Sequence, residues 1–171
     1  LCLTLWNYFK ISKINISRKK IPFYLPNLFF FIIFVQIIIG AFVSGMDAGQ
    51  IYNTWPYMNG NYFPNDSSIK DLFKLSVFNE PSLVQFIHRN IAYLIIFIFC
   101  FIFYFVLKDK NLYYLKKTVV LIFFLLLFQL FLGVLTILSG AQIFVASLHQ
   151  IGSIFLISSS LYLLYKNTNI S

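Results

Sequence analysis

Two histidines, His88 and His149, are the only ones in the chain, and each stands inside a long apolar run. An imidazole is costly to place within a membrane and usually faces the interior of a helix bundle, where it meets a partner. His88 follows Leu83 by five residues and His149 follows Ile143 by six, so at 1.5 Å per residue both sit about 8 to 9 Å in from the ends of their runs. Zinc or copper would need further Cys, Asp or Glu ligands at that depth, and the sequence places none there. Cys2 and Cys100 form neither a CxxC pattern nor a disulfide framework. Small residues lie one turn beyond each histidine, Ala92 on one side and Gly152 with Ser153 on the other. Taken residue by residue, each histidine also reads as a hydrogen-bonded packing group. As a pair at one depth, with flat space beside them, they suit bis-histidine ligation of a heme iron, one neutral imidazole on each face.

Four apolar spans have to position that pair: Phe23 to Ser44, Leu83 to Leu107, Leu115 to Leu138 and Ile143 to Tyr165. Each has about 22 to 25 residues, enough to cross a hydrocarbon core of about 30 Å as a helix. With 60% apolar and 11% charged residues and a mean hydropathy of +0.82, the chain departs from soluble domains and from disordered ones. The expected fold is an all-α integral membrane protein, a four-transmembrane-helix bundle over residues 23–171, preceded at 1–22 by the end of an earlier helix (LCLTL) and a basic linker. The net charge of +8 is a matter of position and not of nucleic acid. Lys10, Lys13, Arg18, Lys19, Lys20, Lys108, Lys110, Lys116, Lys117 and Lys166 fall in segments that an even number of crossings puts on one side. The positive-inside rule makes that side cytoplasmic, or matrix in an organelle.

The loop 45–82 then lies outside and is too long to be structureless. Ser68 with Asp71 three residues on predicts a helix start, and Ile69, Leu72 and Phe73 share a face, so a short surface helix is expected within Asp66 to Phe78. Tyr52, Trp55, Tyr57, Tyr62 and Phe63 suit the headgroup zone as an aromatic belt. Pro81 fits the first turn of the second span.

The first and third spans repeat a pattern: Gln36 precedes Gly40 by four residues, and Gln129 precedes Gly133 by four. The second and fourth spans carry the histidines, so the chain reads as two helical hairpins related by a pseudo-two-fold axis along the membrane normal. Gly40 and Gly133 permit close approach of a macrocycle, or ordinary small-residue helix packing. Arg89 is a candidate partner for a heme propionate, or else a snorkelling arginine paired with Asp47 or Glu80.

The stretches GAFVSGMDAGQIYNTWPYMNG (40–60), FNEPSLVQFIHRNIAY (78–93), QLFLGVLT (129–136) and ASLHQIGS (146–153) together resemble the C-terminal half of the heme A synthase family, most closely its alphaproteobacterial and mitochondrial branch. The resemblance runs over nearly the whole chain, in order. It implies half of an eight-helix fold built from two similar four-helix bundles, with His88 and His149 matching the family's C-terminal heme ligands. It also implies that the intact protein oxidises a methyl group of heme O to a formyl group, giving heme A for cytochrome oxidase. This half would hold heme b, while the substrate heme and the catalytic carboxylate would lie in the other half. The implied partners are heme O, the enzyme that supplies it, an electron donor and membrane lipid, in a bacterial inner membrane or the mitochondrial inner membrane. The other branch of the family has an outer cysteine pair, which this sequence lacks. Asp47, Asn53 and Trp55 fall in the strongest loop motif and are expected at the outer edge of the heme or between the two halves. Two other functions fit the composition: a b-type electron-transfer cytochrome, which would normally carry histidines at both membrane depths, and a heme-free transport or assembly protein.

Overall fold

The computed structural model describes residues 1–11, 20–22 and 24–168, with the side chains of Lys10 and Ile11 excepted. The basic linker residues Lys13, Arg18 and Lys19, and Phe23, lie outside the described residues. The described residues form five α-helices: α1 (Cys2–Ile11), α2 (Tyr24–Gly45), α3 (Pro81–Lys108), α4 (Lys116–Leu138) and α5 (Ile143–Thr168). The last four are long and apolar enough to cross a membrane, and the chain is a multi-pass membrane protein. In hydrocarbon, runs this long satisfy their backbone groups internally as helices. Pro81 occupies the first turn of α3, where its missing N–H has no helical acceptor to lose. The third span begins slightly differently from expectation: a 3-10 turn, Lys110–Leu115, leads into α4, with the Asp109 carboxylate accepting from the Asn111 amide.

α2 packs most extensively on α3, and α4 on α5. Contacts of α5 with α2 and of α3 with α4 close the ring. The two hairpins expected from the repeat are thus the two tightest helix pairs. The α4–α5 turn is made possible by Gly140 at φ 67°, followed by Ala141 at φ 61°. Its closure comes from Gly140 N–H donating to the Ile137 carbonyl at 3.1 Å and Ala141 N–H to the Thr136 carbonyl at 2.8 Å.

The apolar core occupies the half of the bundle toward the lysine-rich end. Phe29, Ile33, Phe99, Ile102, Leu115, Ile122 and Leu163 are buried there, with the Phe29 and Phe99 rings 5.5 Å apart. At that end the Asn167 side chain, fully buried, accepts from the Ile21 N–H at 2.9 Å and donates to the Ile21 carbonyl at 3.0 Å. Both polar groups of a segment leading into α2 are thereby satisfied by one residue of α5. α1 rests on α5 through Trp6 against Tyr165 and Phe9 against Tyr162 and Tyr165.

The loop 45–82 folds over the opposite end of the bundle. Tyr62 and Phe63 pack edge-on against Phe86 of α3, Tyr62 hydrogen-bonds Asn90, and Ser82 donates to the Asp66 carboxylate at 2.5 Å. The surface helix expected between Asp66 and Phe78 is instead two 3-10 turns, Ile69–Phe73 and Leu75–Asn79. Ser68 does start the first turn, with its N–H and hydroxyl both donating to the Asp71 carboxylate at 2.9 and 2.7 Å. The same carboxylate also takes the Lys74 ammonium at 2.7 Å, and Lys74 is extended at φ −97°, ψ 145°. That backbone conformation ends the turn before a helix can propagate. Ile69, Phe73 and Leu75 point outward, 67%, 87% and 93% exposed.

Candidate functional site

The interior of the loop-side half is polar where the other half is apolar. α3 brings His88 inward opposite Gly40 of α2, and α5 brings His149 inward opposite Gly133 of α4. A Cβ on Gly40 would lie 3.2 Å from His88 Cε1, and one on Gly133 would lie 3.2 Å from His149 Cε1. The two hairpins therefore build the same contact, a glycine facing the edge of an imidazole. Any larger residue would press its side chain on the ring, which would have to give way by a few tenths of an ångström even for a methyl group.

Glutamine accompanies each glycine. The Gln36 amide nitrogen donates to the His88 carbonyl at 3.0 Å and lies 3.3 Å from His88 Nε2. The Gln129 side-chain amide presses against the Cα side of Gly152, one turn beyond His149 on α5, where a Cβ would meet it. The sequence pattern placed each glutamine on the face of its glycine but did not pair it with a histidine. The i, i+4 spacing of Gln and Gly on one helix, read against a histidine on the next, carries that signal.

Arg89 is buried and grips the loop. Its two terminal nitrogens donate to the carbonyls of Thr54 and Tyr52, each at 3.0 Å, and Gln85 donates to the Tyr52 carbonyl at 3.2 Å. The partners of Arg89 are main-chain oxygens, not the carboxylates of Asp47 or Glu80. Gln85 was not singled out by the sequence, because a buried glutamine bound to a carbonyl leaves no mark in residue types. Asp47 takes a left-handed turn conformation at φ 51°. Asn53, with its amide nitrogen turned toward the loop, donates to the Gly49 and Gln50 carbonyls at 3.1 Å and stands beside Gly140 of the α4–α5 turn. Trp55 is exposed.

Among the described residues, six buried side-chain atoms have no hydrogen-bond partner: Gln36 Oε1, Gln85 Oε1, His88 Nδ1, Arg89 Nε, Gln129 Nε2 and His149 Nδ1. All belong to this half of the bundle. Buried polar groups are normally satisfied, and each orphan costs roughly 1 to 3 kcal/mol, so their concentration here sets this half of the bundle apart. Among the described residues no three His, Cys, Asp or Glu side chains converge. The donor set is two imidazoles with amides around them.

No solved structure matches the chain. Curated relatives do. The chain is 47% identical to the heme A synthase of Pelagibacter ubique over 99% of its own length and 49% of the relative's. It is 40% identical to that of Rickettsia bellii over 92% and 46%, and 37% identical to that of Wolbachia pipientis over 91% and 42%. It therefore spans about half the length of the curated relatives it matches. The glycine–histidine contacts, the polar interior and the loop that caps them all fall within residues 1–161, which match the family described as cytochrome oxidase assembly protein, COX15-CtaA, and the chain belongs to that family.

Proposed function

We propose that this chain is the heme-binding half of a heme A synthase, holding a heme between His88 and His149. The observation that carries the reading is the doubled arrangement of a histidine against a glycine, each with a buried, unpartnered Nδ1. The residues present fit the group. His88 and His149, as neutral imidazoles, would hold the iron, Gly40 and Gly133 would leave room beside them, and the surrounding amides would orient the imidazoles. When bound, heme b would supply one-electron chemistry at the iron. Arg89 holds a positive charge under the loop, and its unpartnered Nε is the atom left for a heme carboxylate while its terminal nitrogens keep the loop in place.

In the whole protein, heme O would be oxidised at a methyl group to a formyl group by successive hydroxylations, with the catalytic residues in the half this chain does not span. The lysine-rich end faces the cytoplasm or matrix and the loop faces outward, in the bacterial or mitochondrial inner membrane. Heme O, the enzyme that makes it and an electron donor are the partners.

The test is the absorption spectrum of the purified chain, oxidised and dithionite-reduced, beside His88→Ala and His149→Ala. A low-spin b-type spectrum, lost or turned high-spin in both variants, is expected. Wild-type chain without a Soret band, made under heme-replete conditions and helical by circular dichroism, overturns the reading. The chain alone should make no heme A, as checked by extracting its pigments after supply of heme O.

A further inference from the structure

The segment between Asp66 and Ser82 stands at the loop end of the bundle with an apolar side turned away from the protein. Its two ends are tied by the Ser82 hydroxyl on the Asp66 carboxylate, at 2.5 Å, and Val77 is buried beneath it. It is therefore a closed, packed loop and not a trailing one. Phe73 and Leu75 are nonetheless 87% and 93% exposed, the two most exposed large apolar side chains among the described residues.

Backbone geometry sorts the side chains of this loop. In a 3-10 turn residues i and i+3 eclipse, so in Leu75–Asn79 Leu75 shares an edge with Phe78, and Ser76 shares another with Asn79. Lys74 is extended between the two turns and reaches back to Asp71 at 2.7 Å. The two-residue period of extended chain sets Phe73 and Leu75 on the side away from it. Phe73, Leu75 and Phe78 thus form an apolar side, from which the Asp71–Lys74 pair and the Ser76–Asn79 edge are turned away. Such a division suits a boundary between water and hydrocarbon.

A ring contact fixes what the apolar side faces. Phe78 stacks on Phe42 of α2, with centroids 5.5 Å apart. Phe42 ends an outward stripe on α2, with Phe34 and Ile38 before it at steps of four, 48%, 44% and 41% exposed in chain order. An outward apolar stripe on a membrane-crossing helix belongs against hydrocarbon. Phe42 lies five residues short of Asp47, where the chain turns, and three short of Gly45, where α2 ends, or about 4.5 Å along the axis. Phe78 lies three residues short of Pro81, where α3 begins. The stack therefore stands at the level where both helices leave the bilayer, and it carries the lipid-facing surface of α2 over onto the loop.

We propose that the loop from Ile69 to Phe78 is a lipid-binding element, inserting Phe73 and Leu75 into the surface of the same bilayer that the four helices cross. In water these side chains would be costly; in the boundary between headgroups and acyl chains they are buried, roughly 5 to 10 Å deep. Lys70, exposed on the edge it shares with Phe73, reaches a lipid phosphate along its own stem. The loop that Arg89 grips at Tyr52 and Thr54 is then held at its far edge by lipid, so its place over the polar half depends on the membrane as well as on the protein. The inference rests on the membrane-crossing fold and not on whether a heme is bound.

The test is a depth measurement in lipid. In the full chain, with Cys2 and Cys100 replaced by serine, Phe73→Cys, Leu75→Cys and Ser76→Cys each take a nitroxide label. Phe97→Cys, on the outward face of α3 at 60% exposure, supplies the lipid-embedded reference. The labelled chains are placed in vesicles of phosphatidylcholine and phosphatidylglycerol. Collisions of each label with oxygen, which concentrates in hydrocarbon, and with a water-soluble nickel chelate are read by power saturation. The oxygen-to-nickel ratio at 73 and 75 should be several-fold above that at 76 and below that at 97. A ratio at 73 and 75 no higher than at 76 puts both side chains in water and overturns the proposal. Protection of 73 and 75 from both reagents, the mark of a protein cover such as a second copy of this chain, overturns it equally.

Discussion

The two halves of the bundle obey different rules. Toward the lysine-rich end, Phe29, Phe99, Ile102, Ile122 and Leu163 fill the interior and leave nothing for a ligand to do. Toward the loop, the interior holds two histidines, three glutamines and an arginine, with six polar atoms left unpaired. The same four helices build both. The difference teaches that stability and chemistry are separated along the helix axis: close packing holds the hairpins together, and this frees the other half to carry polar groups that would weaken a core.

That separation can be broken at several points. The largest effect is expected from Gly40→Leu and Gly133→Leu, which drive a branched side chain into the imidazole edges. On the proposed heme site, each should abolish the bis-histidine spectrum while circular dichroism shows the helices intact. Next comes Ile102→Ala, in the fully buried apolar half. It should cost roughly 2 to 4 kcal/mol, seen as a lower thermal midpoint in detergent, and leave the position of the heme bands unchanged in the folded fraction. Asn167→Ala should cost roughly 1 to 3 kcal/mol by orphaning the Ile21 amide and carbonyl, measured the same way, again without spectral change. A spectral shift in either of the last two would mean that the halves are coupled.

The smallest effect concerns the loop. Burial pushes the Asp66 carboxyl up, but hydrogen bonds from Ser82, Tyr52, its own backbone amide and Ser67 outweigh this and hold it below the usual carboxylate range. A group lowered on folding contributes stability that is present above about pH 4 and lost as the pH falls through its folded value. Asp66→Asn should flatten the acid limb of loop unfolding, followed by tryptophan fluorescence, and leave the neutral-pH spectrum of the heme alone.

Much of the frame was legible in the residues. Long uncharged runs gave the four spans because lipid leaves a helix as their only choice, and Pro81 marked its helix start through its missing donor. The glycines and histidines announced themselves because both types are costly where they stand. Ser68 and Asp71 mark a start that is there, each bonded to the other across the first turn, but the extended backbone of Lys74 stops it as a 3-10 turn, and backbone conformation three residues on leaves no mark in residue types. The roles of Gln85 and Arg89 were hidden for a different reason. Their acceptors are main-chain carbonyls, and every residue has one.

That last feature bears on how the protein can change over time. A loop held by Arg89 through the oxygens of Tyr52 and Thr54 is gripped by its path and not by its letters. Replacing the side chains at 52 or 54 leaves in place the oxygens that Arg89 holds, but the buried Tyr52 with its bond to Asp66, and the Thr54 hydroxyl between Tyr57 and Asn59, tie those two side chains to the path of the loop as well. Arg89 itself has no substitute: lysine offers one point of charge where two parallel donors are needed. At this contact Arg89 is the residue whose loss the backbone of the loop cannot make good.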